Sequence, residues 1–317
     1  MGYIYALTAA LFFGANGSVT KVILDAGLSP AQLTVFRVLS SAVICGAILL
    51  LTDRRAFRLA PRQLLILAFL GIVGVAMLQY TYAVALGLLP VGITLLIEYT
   101  AVLMVAVVAF CVFRERVKAR LWVAIGCVIV GLGIVAQVWA SELDPVGVLY
   151  AFGAATSLTI YFVVGEREVG KTSPLAVAFW TMNFATAFWL VFSEWWQIDP
   201  AIFRSSVSLS GNLTDTVVPF WVPLLWSMVL GSFTPFVLSL LALKHLTATA
   251  AGVVASSEVM FAFFVAWIWL DESLGSVQLV GAAVVLAGII LAQTARAGKV
   301  IDADLALVPP TFPSRHR

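Results

Sequence analysis

Apolar residues run along most of the chain in long stretches, separated by short clusters of polar and charged residues. The stretches approach the ~20 residues that an α-helix needs to cross a bilayer, and they lack the alternation of barrel strands. They predict ten spanning helices, at residues 3–22, 31–51, 63–87, 91–113, 119–139, 146–164, 174–195, 221–243, 249–269 and 275–295. Because only helices and closed barrels satisfy their backbone groups in hydrocarbon, we expect an all-α integral membrane protein embedded in a lipid bilayer.

The composition supports this fold class. Of 317 residues, 62% are hydrophobic and 11% are charged, whereas soluble domains carry about a quarter charged residues. The three cysteines, Cys45, Cys111 and Cys127, fall inside predicted spans, and no Cys/His cluster has the spacing of metal ligands. An odd number of cysteines in lipid does not indicate a disulfide framework. We therefore expect no metal site and no cofactor.

The placement of basic residues predicts an orientation. Fifteen of the 18 lysines and arginines lie in one alternate set of loops and in the C-terminal tail, against Lys21 and Arg204 in the opposite set. Cytoplasmic loops are enriched in Lys and Arg, so we expect both termini in the cytoplasm. A missing or surplus span would disrupt this asymmetry, which therefore supports the ten-span interpretation.

The two halves of the chain resemble each other. Residues 85–137 resemble residues 242–293, and a shift of 157 positions pairs Glu115 with Glu272. Further upstream, YALTAAL at 5–11 resembles YAFGAAT at 150–156. Five predicted spans per half is an odd number, so the second half enters the membrane inverted. Inverted repeats are typical of secondary transporters. The predicted units are a first repeat, a second repeat and a disordered cytoplasmic tail, at residues 1–140, 141–295 and 296–317.

Three short motifs carry a family resemblance. The sequences FRER at 113–116 and LDES at 270–273 each end an apolar span before a glycine-rich one. The sequence SSEV at 256–259 has Val259 where such proteins often have proline. The chain resembles the EamA-type drug/metabolite transporter superfamily, most of all bacterial exporters of amino acids, including aromatic ones. The resemblance implies a bacterial inner-membrane protein with a central cavity lined by spans one, three, four, six, eight and nine.

Glu98 is the first candidate site residue, in the middle of the span predicted at 91–113. A charge at the bilayer centre costs ~2.5–3.5 kcal/mol, so this carboxylate must face a cavity or be protonated. We interpret it as a ligand for a substrate ammonium group, as a proton carrier, or as both in turn. The alternative is a protonated contact between helices, worth about 0.6 kcal/mol.

Glu258 lies in the middle of the ninth predicted span, one turn from Ala255, the repeat equivalent of Glu98. The two carboxylates could share one cavity, with Glu258 and Ser257 serving gating or proton coupling. The alternative is a hydrogen bond that packs helices together, with Ser256 or Ser257 as the donor. Proton antiport and facilitated diffusion both stay open.

Aromatic and amide residues extend the candidate site. Gln79 and Tyr82 are three residues apart and share a helix face, with Tyr80 turned away. The other mid-span or adjoining candidates for substrate binding are Tyr99, Trp180, Tyr161 and Asn16. Together they indicate an apolar, aromatic cavity with a few hydrogen-bonding groups, which is typical of small-molecule sites. For each residue alone, helix packing is the alternative.

Arg37 and Pro235 are the remaining gating candidates. Arg37 is the only basic residue inside a predicted span, and we expect it to snorkel to the outer interface as a gate residue. Pro235 is a hinge candidate in the eighth span. For Gly71, Gly74, Gly126, Gly131 and Gly281, close helix packing is the expected role.

The absence of catalytic motifs makes an intramembrane enzyme a remote alternative. The chain has no HExxH, GxSxG or Walker sequence, and its only histidines are His245 and His316. We predict a secondary transporter that exports a small neutral or zwitterionic metabolite by alternating access, and the resemblance points to amino acids. Exchange of nucleotide sugars or sugar phosphates is the alternative, although phosphate binding favours several basic groups. No nucleic-acid partner is expected, and monomer or homodimer stays open.

Overall fold

The protein is mostly helical. A computed structural model describes residues 1–111, 120–135, 143–169, 171–243, 254–273 and 275–295. Within these ranges, six helices are long and apolar enough to cross a membrane. The FRER motif at 113–116 and the predicted tail at 296–317 lie outside the described residues.

Six helices form the first half of the described chain. They are α1 (Gly2–Asp25), α2 (Pro30–Thr52), α3 (61–88), α4 (Val91–Glu98), α5 (Ala101–Cys111) and α6 (Arg120–Val135). The start of α2 follows from its sequence: Ser29 and Gln32 form a capping box, and Pro30 occupies the first helical turn. Such a box satisfies two backbone donors that a helix start leaves free.

Five helices follow in the second half. They are α7 (Pro145–Val169), α8 (Pro174–Phe192), α9 (221–243), α10 (Ser257–Leu270) and α11 (Ser276–Ala295). The Ser173 side chain accepts a hydrogen bond from the backbone N–H of Ala176 and caps α8 by this single bond. The helices of both halves lie along the apolar stretches from which spans were predicted.

Two of those stretches contain an interrupted helix. The stretch at 91–113 breaks at Tyr99–Thr100, between α4 and α5, where the Thr100 N–H donates to the Ile97 carbonyl at 3.0 Å. The stretch at 249–269 breaks at Ser256, where the Val259 N–H donates to the Ser256 carbonyl at 3.3 Å. Both are bonds from residue i+3 to residue i, which tighten the turn. Tyr99 and Ser256 are 157 positions apart, so the interruptions are repeat equivalents, whereas the sequence predicted continuous spans.

A second pair of irregularities lies in α3 and α9. The backbone is π-helical over Leu70–Ala76 in α3 and over Val229–Phe233 in α9. The shift of 157 places Gly74 on Gly231, inside the two π-helical segments. In α9 the segment ends two residues before Pro235, whose missing N–H leaves the Gly231 carbonyl without its helical donor. The two halves therefore deviate from regular helix at matching positions.

Helices of the two halves pack against each other in corresponding pairs. The main contacts join α6 with α11, α2 with α8, α3 with α7, and α9 with α1. Glycines allow the close contact of α6 with α11. A Cβ added at Gly131 would lie 2.6 Å from Val285, and one added at Gly281 would lie 2.8 Å from the Val135 nitrogen. Close packing is thus confirmed for these two glycines, whereas Gly126 has no neighbour within 4 Å among the residues that the structure describes.

The segment between α8 and α9 contains a small hairpin, which corrects the all-α expectation. Strands β1 (Ser206–Ser208) and β2 (Val217–Pro219) pair antiparallel, with Val207 opposite Val218. Short 3₁₀ turns surround them, at Trp195–Gln197, Pro200–Arg204 and Gly211–Leu213. Val207 and Phe220 are buried with Leu33 of α2 in one hydrophobic cluster, so the hairpin is packed onto the helices.

Candidate functional site

Glu98 is the last residue of α4 and lies at the helix interruption. Its side chain is 9% exposed, and its Oε2 atom is enclosed without a hydrogen-bond partner among the described residues. The Thr100 hydroxyl donates to the Ile97 carbonyl at 2.6 Å and so supports the end of the helix at this point. A helix C-terminus carries partial negative charge, which favours a cation. The position therefore suits an ammonium group or a proton.

Glu258 differs from Glu98 in its position along the helix and in its hydrogen bonding. It lies in the first turn of α10, where the partial positive charge of a helix N-terminus favours a carboxylate. The Tyr99 hydroxyl donates to its Oε2 atom at 2.5 Å. The Ser257 hydroxyl donates to the Val254 carbonyl at 2.6 Å, so it is not the donor to Glu258 that the packing interpretation considered. The Glu258 carboxylate is thus hydrogen-bonded within the protein, whereas the Glu98 Oε2 atom has no partner among the described residues.

The middle of α1 lies close to both α10 and α3. A Cβ added at Gly14 would lie 2.8 Å from the Glu258 carbonyl oxygen, and one added at Gly17 would lie 3.1 Å from the Tyr82 hydroxyl. Only glycine permits such an approach without displacement of a neighbour. Asn16, between them, is 2% exposed and accepts a hydrogen bond from the Ser227 hydroxyl of α9 at 3.0 Å.

Arg37 is buried, in contrast to the expectation that it snorkels. It is 7% exposed because the π-helical segment of α9 packs against α2. Its Nε atom donates to the Ser232 hydroxyl at 3.1 Å, and that hydroxyl donates to the Ser227 carbonyl at 3.0 Å. The Nη1 atom is enclosed and has no hydrogen-bond partner in the described part of the chain. Arg37, Ser232, Ser227 and Asn16 thus link α2, α9 and α1.

Gln79, Tyr80 and Tyr82 have the orientations that helix periodicity predicted. Tyr80 packs against Trp189 and Tyr150, at ring-centroid distances of 4.9 and 6.4 Å. Tyr82 instead lies beside α1, and the Gln79 Oε1 atom is enclosed with no partner among the described side chains and backbone. Gln79 therefore adds another unused polar atom inside the bundle.

Trp180 and Tyr161 have other neighbours. The Trp180 indole N–H donates to the Ala56 carbonyl at 3.1 Å, beyond the end of α2 that is distant from Arg37. Tyr161 packs against Gly74, where an added Cβ would lie 3.3 Å from its Cα atom. Both residues belong to a hydrophobic cluster with Leu70. The structure thus does not group these two with Glu98.

An ion pair that the sequence did not predict lies at one end of the bundle. Lys21 of α1 and Glu272 form it, and the other Glu272 oxygen accepts a hydrogen bond from the Val91 N–H at 2.8 Å. The signals in the sequence were the repeat pairing of Glu115 with Glu272 and the scarcity of basic residues in the loops that contain Lys21. Neither signal indicated that the two side chains meet.

Two clefts on the surface lie away from these residues. One, of about 410 Å³, is lined by Gln32, Glu194 and Asp199 among others, and one of about 460 Å³ by Phe203 and Arg204 among others. Neither is lined by any of the candidate substrate-binding residues. Glu98, Asn16 and Tyr82 are instead buried among the helices.

Comparisons with known proteins agree with the resemblance seen in the sequence. A model of the EamA-like transporter family matches residues 1–137 and again residues 145–294. The threonine/homoserine exporter RhtA of Escherichia coli (strain K12) is 26% identical over 247 residues, which are 76% of each chain. The same exporter of Salmonella typhimurium (strain SL1344) is 24% identical over 246 residues, again 76% of each chain.

Two further matches are a sequence relative and a solved structure. An uncharacterized transporter of Archaeoglobus fulgidus is 26% identical over 185 residues, 56% of this chain and 58% of its relative. A crystal structure aligns with a TM-score of 0.63 at 14% identity and covers 93% of this chain and 97% of its own. The family model matches nearly the whole helical region, once in each half. The chain therefore belongs to the EamA-like transporter family and is similar to amino-acid exporters.

Proposed function

We propose that the protein exports a zwitterionic amino acid across the bacterial inner membrane by alternating access. The observation that carries this proposal is Glu98, a buried carboxylate with an unused oxygen at the C-terminal end of an interrupted helix. Half-helix ends in the middle of a membrane form substrate and ion sites in many secondary transporters. The names of the Escherichia coli and Salmonella relatives, threonine/homoserine exporters, support an amino-acid substrate.

The proposed architecture is ten spans in two inverted repeats, 1–140 and 141–295, with both termini in the cytoplasm. Three observations support it. The family model matches once in each half. The helix interruptions and π-helical segments fall at repeat-equivalent positions. The contacts of α3 with α7 and of α9 with α1 correspond under exchange of the halves.

In the proposed mechanism, Glu98 binds the substrate ammonium in one half of the cycle and a proton in the other. Gln79, Tyr82 and Tyr99 contribute the neighbouring polar and aromatic surface. Glu258, held by Tyr99, couples movement at the interruption of α4 and α5 to α10. Asn16, Tyr161 and Trp180 support the helices around the site, and Pro235 belongs to the hinge of α9.

Flux into proteoliposomes tests the proposal. The labelled panel contains neutral, aromatic and charged amino acids, a sugar phosphate and a lipophilic cation, each with and without a pH gradient. We expect transport of amino acids, strongly reduced in Glu98→Ala and unchanged in Asp215→Asn, which alters an exposed carboxylate far from the site. Transport of the sugar phosphate alone would overturn the proposal.

A further inference from the structure

We propose that Arg37 binds the substrate carboxylate while Glu98 binds the substrate ammonium, so that the site recognises the common backbone of α-amino acids. This inference rests on the proposed function and assigns Arg37 to the site itself, where the sequence had suggested an outer gate. The bundle encloses the Nη1 atom of Arg37 and the Oε2 atom of Glu98, which belong to groups of opposite charge and have no hydrogen-bond partner among the described residues.

The guanidinium group of Arg37 is held by the protein at its Nε atom, and its Nη1 atom is left for a ligand. The Ser232 hydroxyl accepts from Nε and is itself fixed because it donates to the Ser227 carbonyl. This contact holds the guanidinium plane but is neutral, and it leaves the enclosed Nη1 atom without a partner in the described structure. A guanidinium group favours two parallel hydrogen bonds to a carboxylate. The enclosed Nη1 atom of Arg37 is therefore a charged donor that a ligand carboxylate can use.

Glu98 provides the opposite charge. The α4 C-terminus adds partial negative charge beside its carboxylate, so a cation is favoured there by two independent sources. Glu258 is the weaker candidate for the ammonium, because one of its oxygens already accepts a short hydrogen bond from Tyr99. An ammonium group has three donors and no acceptor, which matches the open Glu98 oxygen and nearby helix carbonyls.

Arg37 and Glu98 do not neutralise each other directly. Both lie near the middle of α1. Hydrogen bonds through Ser232 and Ser227 link Arg37 to Asn16. Tyr99, which follows Glu98, bonds to Glu258, whose carbonyl lies beside Gly14. Arg37 and Glu98 nevertheless form no ion pair at an N–O distance of 4.0 Å or less. Buried charges without a close partner are unfavourable. A zwitterionic ligand between them would satisfy both at once, whereas a ligand with one charged group would leave the other unpaired.

The same arrangement disfavours a phosphorylated substrate. A phosphate group carries up to two negative charges and would meet a single arginine together with two carboxylates, Glu98 and Glu258. Like charges at close range are mutually unfavourable. An amino-acid carboxylate has one charge and is accompanied by an ammonium group that offsets it. The charge pattern therefore selects an α-amino acid over a sugar phosphate.

The test is competition in proteoliposomes that contain the full chain. The labelled substrate is the amino acid of the panel that wild type transports fastest. One competitor is its methyl ester, which lacks the carboxylate, and the other is its 2-hydroxy acid, which lacks the ammonium group. We expect wild type to prefer the amino acid over each competitor by about tenfold or more, since a site built for a polar group rejects analogues without it.

The variants then separate the two ends of the ligand. Arg37→Gln should lose the preference over the methyl ester and keep the preference over the hydroxy acid, and Glu98→Gln should do the reverse. Arg37→Lys should retain part of the preference because it keeps the charge without the planar fork. Arg62→Gln, an exposed arginine at the start of α3, is the matched control and should leave both ratios unchanged.

If Arg37→Gln lowers the flux of the amino acid and of its ester equally, the ratio of the two fluxes does not change. Arg37 would then have only a structural role. In that case the proposed export of amino acids would still stand. Absence of any amino-acid transport by wild type would overturn both proposals together. If Arg37→Gln does not purify as a monodisperse protein, Ser232→Ala replaces it, and an unchanged ester ratio there overturns the inference.

Discussion

Lys21 and Glu272 form an ion pair, at 2.5 Å between Nζ and Oε1, that ties the end of α1 to the turn after α10. Through the bond from the Val91 N–H, the same carboxylate also holds the start of α4. Elements of both halves are thereby joined at the end of the bundle that we propose to face outside. Opening of the site toward that side would have to break this contact.

Removal of the Glu272 carboxylate should increase access to the site from outside. We expect Glu272→Ala to have a larger effect than Lys21→Met, because the first removes both contacts and the second only the ion pair. The measurement is the rate at which a membrane-impermeant thiol reagent labels Thr20→Cys in a cysteine-free background, since Thr20 is buried near Lys21. Lys171→Met removes another ion pair and should not change this rate.

A methyl group at Gly231 should destabilise the protein. A Cβ there would lie 2.0 Å from the Asn16 Oδ1 atom, so the π-helical segment of α9 or the middle of α1 must shift. Overpacking of this kind typically costs about 1–3 kcal/mol. We expect a melting temperature several degrees lower in Gly231→Ala and little change in Gly126→Ala, measured by thermal shift in detergent.

A second variant distinguishes a local collision from a general intolerance of alanine in α9. Asn16→Ala removes the atoms that the new methyl group would approach most closely. The double variant should therefore recover part of the melting temperature lost by Gly231→Ala. Losses that simply add would show that the close approach of Asn16 and Gly231 is not the cause.

The hydrogen bond from Tyr99 to Glu258 should contribute measurably to stability. Tyr99→Phe deletes the hydroxyl and leaves a buried carboxylate without this donor. Hydrogen bonds to charged groups are worth about 1.5–3 kcal/mol. A double-mutant cycle with Glu258→Ala, which removes the acceptor, should give a coupling energy in that range when it is measured by chemical unfolding. Tyr3→Phe, at an exposed position of α1, serves as the control, and a coupling near zero would contradict the contact.

Glu98 should determine the response of transport to a pH gradient. If protons and substrate alternate on this carboxylate, an inward-directed proton gradient accelerates export by wild type. Glu98→Gln loses this acceleration because an amide does not titrate. Glu258→Gln should keep it, since Glu258 is bonded to Tyr99. The measurement compares the substrate flux at equal pH on both sides of the vesicle membrane with the flux in the presence of a pH gradient. If Glu98→Gln still responds to the pH gradient, another residue couples protons to transport.

The helical character, the family and the close packing at Gly131 and Gly281 could be predicted from the sequence. These features depend on local composition and on the repeat, both of which are visible along the chain. The separation of Tyr80 from Gln79 and Tyr82 was also predictable, because helix periodicity alone determines it.

The features that define the candidate site were not predictable in the same way. The interruption after Glu98 contains no glycine or proline, and it is accompanied by side-chain bonds of Tyr99 and Thr100, one of them to a residue 159 positions away. Arg37 was expected at the interface because its depth was judged from its own helix. Its burial depends on the π-helical segment of α9, which no local pattern revealed.

The matched helix interruptions have a consequence for energetics. Each of the two glutamates has an alanine at its repeat-equivalent position, Ala255 for Glu98 and Ala101 for Glu258, while the backbone breaks themselves are duplicated. If inward- and outward-open states exchange the roles of the two halves, equivalent backbone contacts build both states, and their free energies are nearly equal. Such a carrier has no built-in direction. The gradients of substrate and of protons across the membrane, and not the protein, then decide which way the substrate moves.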